Sequence, residues 1–148
     1  TKDQFTSDET KALLDGILSN VDEVKKYYHD REFSKLNRLI MNSIESVNEF
    51  INNKEPWVLA KQENQDQPNS DLHEICSAAL QSFRVISLYL SPVLPVLTHK
   101  ISAFFDEEFT DFDQINNSVK KINQYEHMLK RVERESVDQM IELNTVKD

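Results

Sequence analysis

Residues 33 to 51 read FSKLNRLIMNSIESVNEFI, and this stretch decides the fold. Phe33, Leu36, Ile40, Ile44, Val47 and Ile51 step along it by 3, 4, 4, 3 and 4. That spacing predicts one apolar stripe down one face of an amphipathic helix. Pro56 closes the helix, because a proline disfavours the helical conformation at the residue before it, Glu55, and has no amide to donate.

Comparable stripes flank it. Upstream, Thr6 and Glu9 have capping-box spacing, and Leu14, Ile17, Val21, Val24 and Tyr28 recur at threes and fours. One helix is expected there, with Gly16 inside it at a cost of about 1 kcal/mol relative to alanine. Downstream, the polar run of residues 61 to 70, KQENQDQPNS, reads as a loop broken by Pro68 and Asn69. Leu72, Cys76, Ala79, Phe83, Ile86 and Leu90 form a third stripe. From Phe83 onward nearly every face is apolar, which predicts a central helix surrounded by others. Ser91 and Pro92 have the chemistry of an N-cap and a first helical position, so a further helix is expected from there to about Phe105. The acidic run 106 to 113, DEEFTDFD, reads as a solvated loop whose Phe109 and Phe112 turn back to the core. Residues 114 to 134 are weakly periodic, and Ser136 and Gln139 have capping-box spacing before Val137, Met140 and Ile141.

With one Gly and four Pro in 148 residues, the chain is too poor in turn-formers for β-hairpins, glycine-rich phosphate loops or Rossmann turns. The expected class is all-α, an antiparallel bundle of four to five helices forming one domain over residues 1–148, with 114–148 as a C-terminal linker and last helix.

Several chemistries drop out. The single Cys76 allows no intrachain disulfide and no thiolate-rich zinc site, its place on an apolar stripe makes it a core thiol, and the low cysteine content points to the cytoplasm. The longest apolar stretch, Val85 to Leu97, holds Pro92 and Pro95 and is too short to cross a bilayer. His29, His73, His99 and His127 form no HExxH or Glu-x-x-His motif and read as surface or capping residues. The carboxylates of 106 to 108 lack the alternation and glycine of a calcium loop. No catalytic motif and no metal site remain, so the chain by itself is expected to carry no active site.

The net charge of −9 argues against nonspecific binding of DNA or other nucleic acid. It is unevenly spread, however. Between Lys25 and Lys61 seven basic residues face five acidic ones, a local +2, against ten and twenty-one elsewhere. The only tryptophan, Trp57, follows Pro56 within this segment. An exposed indole there is a stacking platform for an unpaired base, and a buried one seals the end of the bundle. Spacing leaves both open.

The run Arg31-Glu32-Phe33-Ser34-Lys35, then Asn48-Glu49-Phe50-Ile51 leading into Pro56-Trp57-Val58-Leu59-Ala60-Lys61, resembles the anticodon-binding domain of methionyl-tRNA synthetases. So do Phe83-Arg84-Val85, Tyr89-Leu90-Ser91-Pro92-Val93-Leu94-Pro95 and Lys100-Ile101, and the closing Leu129-Lys130-Arg131-Val132-Glu133 with Val137 and Met140-Ile141-Glu142. The resemblance spans about residues 27 to 143. It implies a helical bundle following the catalytic domain of an ATP-dependent methionine–tRNA ligase, with no cofactor in this chain and ATP, Mg and Zn confined to that catalytic part. It further implies that Trp57 stacks on a base of the tRNA(Met) anticodon stem-loop and that Pro56 shapes its approach. Asn53 and Lys54, close to Trp57 in sequence, are candidates for sugar or phosphate contact or for capping the helix end. Lys61, Arg38 and Lys35 are candidate phosphate contacts, with solvated helix faces as the alternative reading. An asparagine and an arginine of the family's reading set belong to a helix before Thr1, and residues 1 to 24 hold no matching pair. The partners implied are tRNA and the catalytic domain of the same polypeptide, with the last helix packed toward the latter. From the residues alone, a helical protein-interaction bundle without an RNA role is the alternative.

Overall fold

Seven α-helices and one 3-10 helix succeed one another among the residues described, 5–62, 69–128 and 134–145, in a computed structural model. The helices are α1 (Asp8–Leu18), α2 (Val21–His29), α3 (Phe33–Lys54), α4 (Pro56–Gln62), α5 (Ser70–Leu90), α6 (Pro95–Phe105) and α7 (Arg134–Thr145), with the 3-10 turn Phe112–Asn116 between the last two. Among the described residues there is no strand, and no helix is long and apolar enough to cross a membrane.

Side-chain bonds fix the directions of the helices. The Thr6 and Ser7 amides at the head of α1 donate to Glu74 in the first turns of α5, and the Tyr89 hydroxyl near the end of α5 donates to Ile17 O at 2.9 Å. The Tyr28 hydroxyl near the end of α2 donates to Tyr89 O at 2.7 Å. Thus α1 runs alongside α5 in the same sense, and α2 ends against the last turn of α5. In contrast α3 runs back, since Asn20 meets Ser43 while Lys54 meets Glu9. As expected, α5 is the central element, buried continuously from Arg84 to Tyr89.

The all-α bundle read from the stripes is the architecture observed, with differences that have local causes. The stripe from Leu14 to Tyr28 bends at Ser19-Asn20, giving two helices in place of one. The Ser19 hydroxyl bonds Gly16 O in competition with the helical ladder, and the Asn20 amide reaches across to Ser43 Oγ of α3. The expected Thr6–Glu9 capping box is absent. Ser7 stands at the N-cap, and Thr6 gives its amide and hydroxyl to Glu74 instead. The helix over 33 to 51 is found, though Phe33 opens it with 51% exposure, beyond the reach of the core. Within 61 to 70, α4 reaches Gln62 and Asn69 caps α5 by accepting from the Asp71 and Leu72 amides, while residues 63–68 lie outside the described part.

On α5 the buried face is turned from the expected one. Ile75, Ala78, Ser82, Val85 and Tyr89 point inward, and Cys76 and Phe83 are exposed, so Cys76 is no core thiol. The inward face includes Ser82 and Arg84, which an apolar count skips. The helix after Ser91 starts at Pro95, because Pro95 keeps Leu94 out of the helical region (φ −122°, ψ 57°) and residues 91 to 93 form a turn. Phe109 and Phe112 do turn inward, Phe112 stacking on Tyr28 with ring centroids 5.8 Å apart. Ile115 is buried in the same cluster. Finally, Ser136 is the third residue of α7 rather than its N-cap, and Val137, Met140 and Ile141 are exposed.

Candidate nucleic-acid interface

The corner between α3 and α4 follows from three consecutive residues. Glu55 takes a left-handed conformation (φ 44°, ψ 54°), its amide bonded to Ile51 O at 3.0 Å. For a residue with a Cβ this costs roughly 1–2 kcal/mol. Pro56 then starts α4 with its φ preset and no amide to satisfy, and the Val58 amide closes the corner on Glu55 O at 2.8 Å. Leu59 packs against the cluster of Phe5, Leu14, Phe50, Ile75 and Ala78. With Leu59 inward, Trp57 two positions earlier faces out and is 47% exposed. The indole therefore does not seal the bundle.

Trp57 and Lys61 are four residues apart on α4 and share its exposed face. Asn53 is exposed on the last turn of α3, four residues before Trp57 and across the corner from it, and Pro56 is half-buried. Lys54 is engaged within the protein: its ammonium pairs with Glu9 of α1 and lies 6.0 Å from the centre of the Phe50 ring. Asn53, Lys54 and Leu59 line one side of a cavity of about 330 Å³ whose other side carries Thr6, Asp71 and Glu74. Hydrogen bonds from the Thr6 hydroxyl and the Ser7 and Thr6 amides hold the Glu74 carboxyl below the usual range, against a smaller opposing effect of burial.

The other two expected phosphate contacts lie elsewhere. Lys35 and Arg38 are exposed near the start of α3, and at about 1.5 Å per residue they stand about 24–29 Å along the axis from Lys54. The Lys35 ammonium bonds both oxygens of Glu32, at 2.8 and 2.9 Å, and that contact raises its pKa. The four histidines are all exposed. Among the described residues no three His, Cys, Asp or Glu side chains come together as a metal site.

One polar feature had no place in the sequence reading. Arg84, with 0% of its side chain exposed, donates from Nε and Nη2 to Glu107 at 2.6 and 2.7 Å and from Nη2 to Gln114 O at 2.8 Å. Asn117 adds a bond to Glu107, and Gln81 holds Asn117 O and the Val119 amide at 2.8 and 2.9 Å. The Arg84 hydrogen bonds depress the Glu107 carboxyl, with burial opposing them. The only signal for this clamp in the sequence is an arginine isolated in an apolar run, followed by an acidic run about one helix later.

No family model matches the chain. Individual proteins do. A methionine–tRNA ligase of Neisseria meningitidis serogroup C is 36% identical over 135 residues, covering 90% of this chain and 19% of that protein. The enzyme of the same name from Methylibium petroleiphilum is 34% identical over 137 residues, again 90% and 19%. The chain's resemblance is to the methionyl-tRNA synthetases. This bears out what the Pro56-Trp57 and Ser91-to-Pro95 segments suggested. The chain spans about a fifth of the length of these relatives. In fold it is similar to the free-state methionyl-tRNA synthetase of Mycobacterium tuberculosis, with a TM-score of 0.78 at 16% identity over 86% of this chain and 27% of that one.

Proposed function

We propose that the chain is the tRNA anticodon-binding part of a methionyl-tRNA synthetase, reading the anticodon of tRNA(Met) by stacking a splayed base on Trp57. The observation that carries this is the exposed indole on a proline corner, in a helical bundle similar in sequence to methionine–tRNA ligases. Stacking on an aromatic face is worth about 1–3 kcal/mol per base, provided the platform is already in place. The left-handed Glu55, the fixed φ of Pro56 and the half-buried Leu59 packed on the core supply that preorganisation. Lys61, on the same face of α4, meets the phosphate beside the stacked base, and Asn53 offers its amide to a base or sugar edge. Lys35 and Arg38, far along α3, serve the stem of the hairpin rather than its loop. The bundle thereby orients the tRNA toward a catalytic domain, to which the ATP, magnesium and zinc of the ligase reaction belong, in the cytoplasm. In this arrangement residues 114–148 form the linker and last helix of one anticodon-binding domain.

The test uses the sole tryptophan. Titration with a methionine anticodon stem-loop is expected to quench Trp57 fluorescence, and a stem-loop with a swapped triplet is expected not to. Equal binding of both hairpins, or binding that leaves the indole unquenched, overturns the assignment.

A further inference from the structure

The observations around α3's last turn carry one step more. Lys54 ends α3, and the next residue, Glu55, adopts a conformation that a side-chain-bearing residue rarely takes. Such a conformation persists only where its surroundings over-determine it. On the downstream side that role falls to Leu59, packed against the core. On the upstream side, the side chain nearest the corner that ties it to another helix is Lys54, through Glu9 of α1. The pair crosses from α3 to α1, and the Lys54 side chain lies along Phe50, leaving it 31% exposed.

We infer that Lys54 is a positioning residue for the Trp57 platform, acting through its ion pair with Glu9 rather than by touching RNA phosphate. The inference rests on the anticodon-binding assignment above and adds Glu9 to the functional set. Its logic is electrostatic and geometric together. The charge of Lys54 is already matched by Glu9, so a phosphate approaching the corner meets a neutral pair. What the pair supplies is a fixed exit direction for the chain at Glu55, and hence a fixed place for the indole two residues on.

The two roles predict opposite responses. If Lys54 were a phosphate contact, Glu9→Gln would free it and tighten RNA binding, and Lys54→Met would lower the slope of log affinity against log salt by about 0.7–0.9. If Lys54 positions the corner, Glu9→Gln and Lys54→Met each weaken binding of the methionine anticodon stem-loop by about three- to tenfold, the double variant is little worse than either, and the salt slope stays unchanged. The charge swap Glu9→Lys with Lys54→Glu then restores most of the affinity, which a lost phosphate contact cannot do.

A readout without RNA keeps the two proposals separable. Time-resolved anisotropy of Trp57 in the free 148-residue chain should show a wider indole wobble in both single variants and recovery in the swap. If wild-type binding ignores the anticodon triplet, the assignment of function falls and anisotropy alone decides the positioning role. Unchanged wobble in both single variants, or tighter RNA binding by Glu9→Gln, overturns the inference.

Discussion

Two regions of this bundle reverse the usual placement of side chains. In the last third of α5 a guanidinium, Arg84, is fully enclosed, while at the α3–α4 corner the sole tryptophan stands 47% exposed. The difference shows that burial here follows the supply of partners. Arg84 is enclosed because the segment after α6 brings a carboxylate and a carbonyl to meet it. Trp57 is left outside because Leu59 already fills the site that α4 presents to the core. One region invests its interactions in holding an irregular segment on the bundle, and the other leaves an aromatic face open to a partner.

The comparison breaks most sharply at Glu107. Glu107→Ala leaves a buried guanidinium without its counter-charge, which costs about 3–5 kcal/mol when a buried pair loses one member. Urea unfolding should show this loss, with residues 107–119 released from α5. The same pair makes a pH prediction. Arg84 lowers the carboxyl's value in the folded state, so the stabilisation is complete above the ordinary glutamate value of about 4.3 and is lost as pH falls through the depressed one. The wild-type acid limb should therefore be steeper than that of Glu107→Gln, and equal limbs would show that the clamp does not titrate.

Trp57 should behave in the opposite way. Trp57→Ala is expected to cost about 1–3 kcal/mol in binding the methionine anticodon stem-loop, roughly 5- to 150-fold in Kd, with little change in the urea midpoint. A large fall in stability without loss of RNA binding would turn the contrast around and make the indole a structural residue.

How far these regions were legible in the sequence follows from the same distinction. The stripes of α3 and the apolar density of α5 are local patterns, and both helices are found where periodicity places them. The proline corner was equally plain, since Pro56 acts on its own neighbour. The face of α5 was misjudged because Arg84 is buried through partners 23 and 30 residues away, which no window sees, and the small Ser82 is carried inward beside it. The same holds for Cys76, placed outside when the helix turns its Ile75–Ala78 edge inward. The exposure of Trp57 depended on Leu59 winning the core position, a choice that spacing leaves open. Its functional meaning came from resemblance to the synthetases and not from periodicity.

A smaller effect is expected at the head of α1. Glu74 accepts from the Thr6 and Ser7 amides and the Thr6 hydroxyl, doing across two helices what an N-cap does within one. Glu74→Ala should cost about 1 kcal/mol, in the range of a lost cap. Amide exchange of α1's first turn would report it, and unchanged protection there would show that this contact stabilises nothing. Because Glu74 and Lys54 line the same cavity, the variant also asks whether loosening the end of α1 reaches the Trp57 corner.

The smallest effect separates global stability from platform geometry. Gly16 lies inside α1 at an ordinary helical position, and a Cβ added there meets nothing within 4 Å. Alanine at this site removes backbone freedom from the unfolded chain and adds no clash, so Gly16→Ala should stabilise by about 0.5–1 kcal/mol. It touches neither the Arg84 clamp nor the α3–α4 corner. If RNA binding depends on a preformed corner and not on overall stability, the urea midpoint rises and the stem-loop affinity stays constant. An affinity that climbs with the midpoint would mean that the indole is held by the cooperativity of the whole bundle, and the contrast between a structural clamp and an independently shaped platform would dissolve.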